Sequence, residues 1–251
     1  KIITPNAGIE KNKLTNIIEA SDVIKKNISI IEKKLNFIFK DTTLILDSFD
    51  CSCLNISGFK KLNGSQVLKE NISYILNSLK LAVTENEKEN TILHIFNSKS
   101  ILDGIEVENL PIGLFGDFYS HELTFFLIRN NDLKNVQKVF NRNNLNINKI
   151  ILKSYNEGVQ LINQDKNIEN FFTIKISKDI TNINFFKNDS FRYSEHFNFG
   201  TNIILRDIEK ICSLDKKMIR KFLSNSFLDK DNFNKHEFLE ENYFTKGNFR
   251  K

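Results

Sequence analysis

The side chains with the widest catalytic and metal-binding repertoire in this chain are four histidines, His94, His121, His196 and His236, and three cysteines, Cys51, Cys53 and Cys212. Their spacing argues against most of that repertoire. No two histidines stand four apart as a helical zinc site requires, and the one Cys-x-Cys, Cys51 and Cys53, has neither a second pair nor a nearby histidine. Three cysteines cannot build a disulfide framework, so they read as reduced, structural thiols. No Gly-x-Ser-x-Gly elbow is present, and no cysteine has a partner histidine at a recognisable spacing, which disfavours nucleophilic hydrolase chemistry. The glycine cradles that hold phosphate, the Walker loop and Gly-x-Gly-x-x-Gly, are also missing. His94 and His121 fall in strand-like runs, where a hydrogen-bonded structural histidine is the expected role. Basic residues next to aromatics, as in Phe59-Lys60-Lys61 and Asn248-Phe249-Arg250-Lys251, are no more than chance in a chain this rich in Phe and Lys.

The richness itself has a cause. Phe occurs 23 times, Met once, Pro twice, Gly nine times and Trp never, the pattern of a genome rich in A and T. Asn-rich stretches such as Asn141 to Asn148 therefore need no low-complexity explanation. Against that background a cluster of glycine and proline is informative: Gly104, Gly113, Gly116 and Pro111 lie within thirteen residues. Backbone geometry must demand them there. The 251 residues carry a formal charge of +5, with acidic and basic residues interleaved, so charge points to a solvated surface rather than to nucleic acid or membrane. With 40% hydrophobic residues the chain can bury a sizeable core, and its apolar runs are too short to span a bilayer. The opening residues lack a signal-peptide core, and a cytoplasmic location is expected.

The elements that must position these residues follow from periodicity. Leu14, Ile17, Ile18, Ile24, Ile28, Ile31 and Leu35 form one stripe and predict a helix from about Lys13 to Leu35. Thr43 to Phe49 reads as a buried strand, followed by short strands turning at Ser57-Gly58 and Asn63-Gly64. Ser65 is the predicted cap of a second helix whose stripe is Ile72, Ile75, Leu76, Leu79 and Val83. Thr91 to Phe96 begins a strand, and Tyr119 to Ile128 is a long one. A helix over Leu133, Val136, Val139 and Phe140, a strand Leu145 to Leu152 and a helix Tyr155 to Ile162 then continue a β-α-β-α alternation. Phe171 to Ile176, Ile180 to Phe186 and Phe191 to Phe199 predict an antiparallel meander. Helices at Asn202 to Ile211 and Leu214 to Leu223 follow, the second capped by Ser213. No internal repeat is visible.

Four strings in order resemble the bacterial cell-division protein FtsA: Thr91-Ile-Leu-His-Ile-Phe, Ile101-Leu-Asp-Gly104, Leu110-Pro-Ile-Gly-Leu-Phe-Gly116 and His121-Glu-Leu-Thr124. They are similar to that family's ILH strand, (V/L)DG turn, PxGxxG loop and HxxT strand. Pro5-Asn-Ala-Gly-Ile-Glu before the first helix and Gly200-Thr-Asn-Ile-Ile-Leu-Arg-Asp207-Ile208 also resemble family segments. The resemblance implies an α/β (α+β) chain with an actin-like, ribonuclease H-like fold, carrying an inserted SHS2-like α+β subdomain and incomplete at both ends. It implies that residues 1–48 form part of the first actin-like subdomain, 49–126 the insert, 127–168 a return to the first subdomain, and 169–251 the start of the second half. It further implies a cell-division scaffold that self-associates, sits on the cytoplasmic face of the inner membrane, links FtsZ and recruits late division proteins through the insert. A pilus-assembly platform protein or another actin-fold ATPase is the alternative, and a plain α/β binding protein a third.

The resemblance also places a site. The family's first phosphate turn, of the form DIGGGTTDI, aligns with Lys175 to Ile183, where Lys175 replaces the acid, Ser177, Lys178 and Asp179 replace the glycines, and Thr181 persists. With Gly200 at the following helix, these are the implied nucleotide residues for ATP and Mg, in degenerate form, since side chains in place of glycine obstruct phosphate. On the insert, Ile112, Gly113, Leu114, Phe115 and Gly116 are the implied protein contact, weighed against a simple tight turn.

Overall fold

A computed structural model describes residues 1–221 apart from Asn6, Lys11, Asn12, Ser48, Asp50, Lys166 and Asn167. The stretch Asn225 to Lys251, with His236, and the end of the helix expected over Leu214 to Leu223 lie outside the described residues. In chain order the elements are β1 (Ile9–Glu10), β2 (Lys13–Leu14), α1 (Ile17–Leu35), β3 (Asp41–Leu46), β4 (Cys51–Lys61), α2 (Lys69–Asn86), β5 (Asn90–Leu102), β6 (Ile105–Val107), β7 (Phe118–Arg129), α3 (Asn130–Asn141), β8 (Asn146–Leu152), α4 (Lys153–Gln164), β9 (Asn170–Ile176), β10 (Thr181–Lys187), β11 (Ser190–Phe197) and α5 (Thr201–Cys212). The chain divides into two compact units: Lys1–Thr173 with Ile183–Glu195, and Ile174–Asn182 with His196–Lys251.

In the first unit, β4, β7, β5 and β6 form a four-stranded sheet in that order, and the β4–β7 and β7–β5 pairs are antiparallel and long. The helix α2 covers one face. Its stripe Ile75, Leu79 and Val83 is buried against Val67, Tyr119, Leu123, Phe125 and Leu127, with Ile72 and Leu76 packed beside them. Leu54 and Ile56 of β4 join this core, so alternate β4 residues face the helix. The opposite face of the same sheet gives Phe126 and Ile128 to a second core, built with Leu46, Val136, Leu152, Phe186 and Phe191. Aromatic stacking dominates it: Phe186 lies 4.7 Å from both Phe171 and Phe191, and Phe191 lies 4.3 Å from Phe126. Gly158 of α4 abuts this stack, where a Cβ would meet the Phe186 ring at about 2.0 Å. Strands β3 and β8 pair in parallel although roughly a hundred residues separate them, with β4, α2, β5, β6, β7 and α3 in the crossover, whereas β7 and β8 of the expected β-α-β alternation lie in different sheets.

Several expectations need correction. The first helix starts at Ile17, not Lys13, because Asn16 accepts from the amides of Ile18 and Glu19 through Oδ1 at 3.0 and 3.2 Å and so caps it, while Lys13–Leu14 pair with Ile9–Glu10. The strand expected to reach Phe49 ends at Leu46, where pairing with Leu152 stops. Ser57-Gly58 is not a turn: β4 runs unbroken, and Gly58 is there because a Cβ would meet Ile75 Cγ2 at 2.7 Å. Asn63-Gly64 is a turn, both at positive φ. Ser65 does not cap α2. That helix begins at Lys69, and Asn71 Oδ1 accepts the Leu68 amide at 2.8 Å. Ser213 closes α5 at φ 54°, and Asp215, accepting from the Met218 amide, starts the helical turn at 216–221. His121 is buried with neither ring nitrogen hydrogen-bonded, not the satisfied histidine expected from its strand position.

Candidate functional site

In the second unit, the strings aligned with the phosphate turn do meet. The turn closes with the Ser177 amide donating to Ile180 O at 2.8 Å, and β10 begins at Thr181. Thr181 is buried and its hydroxyl donates to Phe199 O at 2.7 Å, which ties the strand to the residues just before α5. Gly200 precedes that helix in an extended conformation, φ −159°, which any residue could adopt. Its requirement for glycine is steric: a Cβ would lie 2.5 Å from Lys178 O and 2.6 Å from Ser177 O. The turn therefore sits directly on the start of α5.

That closeness decides what the helix terminus can do. A helix N-terminus ordinarily leaves its first amides free to meet an anion. Here the Thr201 amide donates to Ser177 O at 3.0 Å, the Asn202 amide to Lys178 O at 2.9 Å, and the Ile203 amide to Gly200 O at 3.0 Å. The Asn202 side chain donates to Asp179 Oδ1 at 2.9 Å, so a carboxylate occupies the electropositive end. A phosphate entering here would face carbonyl oxygens and an aspartate in place of amide donors. Residues 175–182 and Gly200 come together as the resemblance implies, but they form a clasp that consumes the helix terminus, and they do not fit a phosphate cradle. Lys175 and Lys178 are the cations nearest in sequence. Among the described residues no group of three or more His, Cys, Asp or Glu side chains could hold a metal ion.

In the first unit, the Gly/Pro loop is a turn and a ladder at once. Leu114 N donates to Pro111 O at 3.2 Å with Gly113 at φ 87°, a four-residue turn that needs glycine at its third position. The loop then pairs with 64–67: Gly113 N donates to Val67 O, Val67 N to Leu114 O, Gly116 N to Ser65 O and Gly64 N to Gly116 O, at 2.8 to 3.2 Å. Gly116 is pressed against Leu102 Cδ1, where a Cβ would stand at 2.6 Å. Asp103, at φ 51°, accepts the amides of Asp117 and Phe118 at 2.9 and 2.7 Å and fixes the entry into β7. Ile112, Leu114 and Phe115 remain exposed on this rigid loop. It is a tight turn whose apolar side chains are presented to solvent.

Sequence reasoning missed a cleft of about 730 Å³ in the first unit, lined by residues of β5, β6, the β10–β11 turn and Tyr155. Glu106 bridges Lys99 at 3.3 Å and Lys187 at 3.7 Å there, and this pairing holds its carboxyl below the usual range. Arg192, also on the wall, has its guanidinium pushed down by burial and held up by Glu122 and Glu106. These residues stand as far as 93 positions apart, so no local pattern could have joined them. His94 is held below its ordinary value first by burial and then by Lys149, and its Nε2 accepts the Leu152 amide at 3.3 Å.

No family model matches the chain. Among curated proteins, it is similar to the cell division protein FtsA of Buchnera aphidicola subsp. Schizaphis graminum, at 22% identity over 206 residues, 82% of this chain and 49% of that protein. It is similar also to the cell division protein FtsA of Borreliella burgdorferi, at 21% identity over 206 residues, 81% of this chain and 49% of that protein. The chain thus spans about half the length of these relatives. A solved structure, the PilM-PilN type IV pilus biogenesis complex, matches with a TM-score of 0.53 at 9% identity, covering 95% of this chain and 63% of that one. The chain is thus similar in sequence to FtsA proteins, at low identity, and its fold is actin-like. Among the described residues no helix is long and apolar enough to cross a membrane.

Proposed function

We propose that this chain is part of an actin-like cell-division scaffold that links FtsZ filaments to the inner face of the cell membrane, self-associates and recruits later division proteins, with ATP binding weakened or lost. The observation that carries this reading is the similarity to two FtsA proteins over 206 residues, on a chain whose fold is actin-like. On it, the sheet from β4 to β7 with α2 corresponds to the insert expected at 49–126, and the exposed Ile112, Leu114 and Phe115 are its contact for a partner. The clasp of residues 175–182 on α5 supports the loss of nucleotide control, because the amides that would hold phosphate are bonded within the chain.

The test uses the full-length gene product on vesicles of inner-membrane lipids, with purified FtsZ and with or without Mg-ATP. Recruitment of FtsZ into the vesicle pellet in both conditions is the expected result. Recruitment only with ATP would show that the clasp opens to hold phosphate and would sink the pseudo-ATPase part. A second reading, a platform protein of pilus assembly, is favoured by the PilM-PilN structure, which covers 95% of this chain. Absence of FtsZ recruitment in both conditions would move that reading to the front.

A further inference from the structure

Charge is interleaved along most of this chain, and one stretch departs from that. From Val23 to Lys40 the lysines Lys25, Lys26, Lys33, Lys34 and Lys40 stand against a single acid, Glu32. The last three turns of α1 leave Lys25, Lys26, Ile30, Lys33, Lys34 and Leu35 exposed. Just past the helix Phe37 is 61% exposed and Ile38 75%, with Leu35 at 60%. Successive apolar residues as open as these make a convex tip and not one wall of a groove. Among the described residues none of these lysines is held in an ion pair.

Hydrogen bonds hold the tip in this form. Asn36 ends α1 in the left-handed region at φ 50°, and its amide donates to Glu32 O. The Phe37 amide donates to the same oxygen at 3.2 Å, and the Phe39 amide donates to Glu32 Oε1 at 2.9 Å. The one acid of the stretch is therefore engaged by the loop's own backbone. Phe39 is half-buried and its ring meets that of Phe37 edge-on at 5.1 Å, while the Asn146 amide donates to Lys40 O at 2.7 Å. The loop is fixed at both ends with Leu35, Phe37 and Ile38 left in solvent. The bond from Asn146 also brings the chain leaving α3 beside the loop, where Arg142 is exposed, and from Leu133 to Asn156 that chain contains no acid.

We infer that Leu35, Phe37 and Ile38 form a wedge that enters the interface of an anionic lipid bilayer, with Lys33, Lys34 and Lys40 as the collar that meets its headgroups. Alkyl and ring groups leave water among the upper acyl chains, and the lysines reach the phosphates along their own apolar stems. A second copy does not suit the tip, because each lysine collar would face its own image. A folded protein would need a pocket that encloses successive side chains from both sides, whereas a fluid closes around a convex tip by itself. Stacking on nucleobases uses flat rings, and the most exposed residue of the wedge is the aliphatic Ile38. The inference rests on the reading proposed above only for the presence of a bilayer, and it assigns a membrane contact to residues of this chain. Vesicle binding measured without FtsZ keeps its failure distinct from failure of that reading.

The chain has no tryptophan, so Phe37→Trp places a single fluorophore at the tip. On vesicles of phosphatidylglycerol and phosphatidylethanolamine its emission should shift to the blue and be quenched by brominated acyl chains, and on phosphatidylcholine vesicles both effects should be much weaker. In vesicle sedimentation of the full chain, Lys33→Gln together with Lys34→Gln should weaken binding roughly twenty-fivefold, about fivefold per lysine, and Ile38→Glu about tenfold. Ile105→Glu, on β6 and 70% exposed, is the control and should change binding less than about twofold at physiological salt. Ile38 is exposed, so thermal unfolding of its variant should match that of the parent chain. A tip emission unmoved by anionic vesicles, an Ile38→Glu variant that binds as the parent does, or an Ile105→Glu variant weakened to the same degree would each overturn the proposal. A tip emission that shifts with protein concentration in the absence of lipid would overturn it too, and would assign the tip to a second copy.

Discussion

Replacing Gly200 by alanine probes the clasp at its narrowest point. The substitution introduces no backbone strain, because φ −159° is extended and open to any residue. It introduces a methyl group 2.5 Å from Lys178 O and 2.6 Å from Ser177 O, both backbone atoms that no rotamer change can move. Relief needs the turn to withdraw by about 0.9 Å to reach an ordinary contact near 3.4 Å. A shift of that size stretches the bonds from the Thr201 and Asn202 amides, now 3.0 and 2.9 Å, beyond hydrogen-bonding range. Two lost bonds at about 0.5–1.5 kcal/mol each, with alanine a poorer residue than glycine at the head of a helix, amount to about 2–4 kcal/mol. Hydrogen exchange read by mass spectrometry on 174–182 and 196–212 measures it locally, and urea unfolding followed by circular dichroism measures it overall. The expected result is loss of protection at the start of α5 together with that destabilisation. Unchanged exchange at Thr201 and Asn202, or a destabilisation under about 0.5 kcal/mol, would refute the close approach on which the reading of the clasp depends.

Other consequences are as direct. Burial without a hydrogen-bond partner holds the His121 pKa below 6.5, so the unfolded chain takes up its proton first as pH falls. Stability is therefore complete above pH 6.5 and declines below it, with His94 acting in the same direction. His121→Leu should flatten that decline and raise stability at pH 5.5, and an unchanged slope in unfolding curves across pH 5 to 7 would contradict it. Gly158→Ala forces a methyl group into the Phe186 ring, which is held between Phe171 and Phe191, and should cost about 1–3 kcal/mol despite the better helix propensity of alanine. Adding Phe186→Leu should recover part of this in a double-mutant cycle, and strict additivity would show that the two do not touch. Asp103→Ala removes the acceptor for two amides at a residue with φ 51° and should destabilise by about 1–3 kcal/mol, whereas Asp103→Asn should lose much less; equal losses in thermal melts would rule out the acceptor role.

Local order could be read from the residues because it is written in near neighbours. The stripes of α1 and α2, the strands Tyr119 to Ile128 and Phe171 onward, and the turn at Asn63-Gly64 depend on periodicity and on backbone conformations that only some residues adopt. The resemblance to FtsA sequences likewise survives, since similarity of that kind is a property of the chain. What periodicity misplaced has a long-range cause. Gly58 looks like a turn residue until α2 is laid across it, and Ser65 looks like a cap until Asn71 takes the role three residues into the helix. The charge cluster around Glu106 joins residues that only the approach of the β10–β11 turn to β5 and β6 brings together.

The same division runs through the candidate site. The resemblance aligned Ser177, Lys178 and Asp179 with the glycines of a phosphate turn, and the sequence placed Gly200 before a helix. Whether those replacements merely crowd a nucleotide or take its place was a matter of tertiary geometry. Hydrogen-bond donors are exhausted by whichever acceptor lies within 3 Å, and that distance is set by how the turn and α5 pack, not by residue identity.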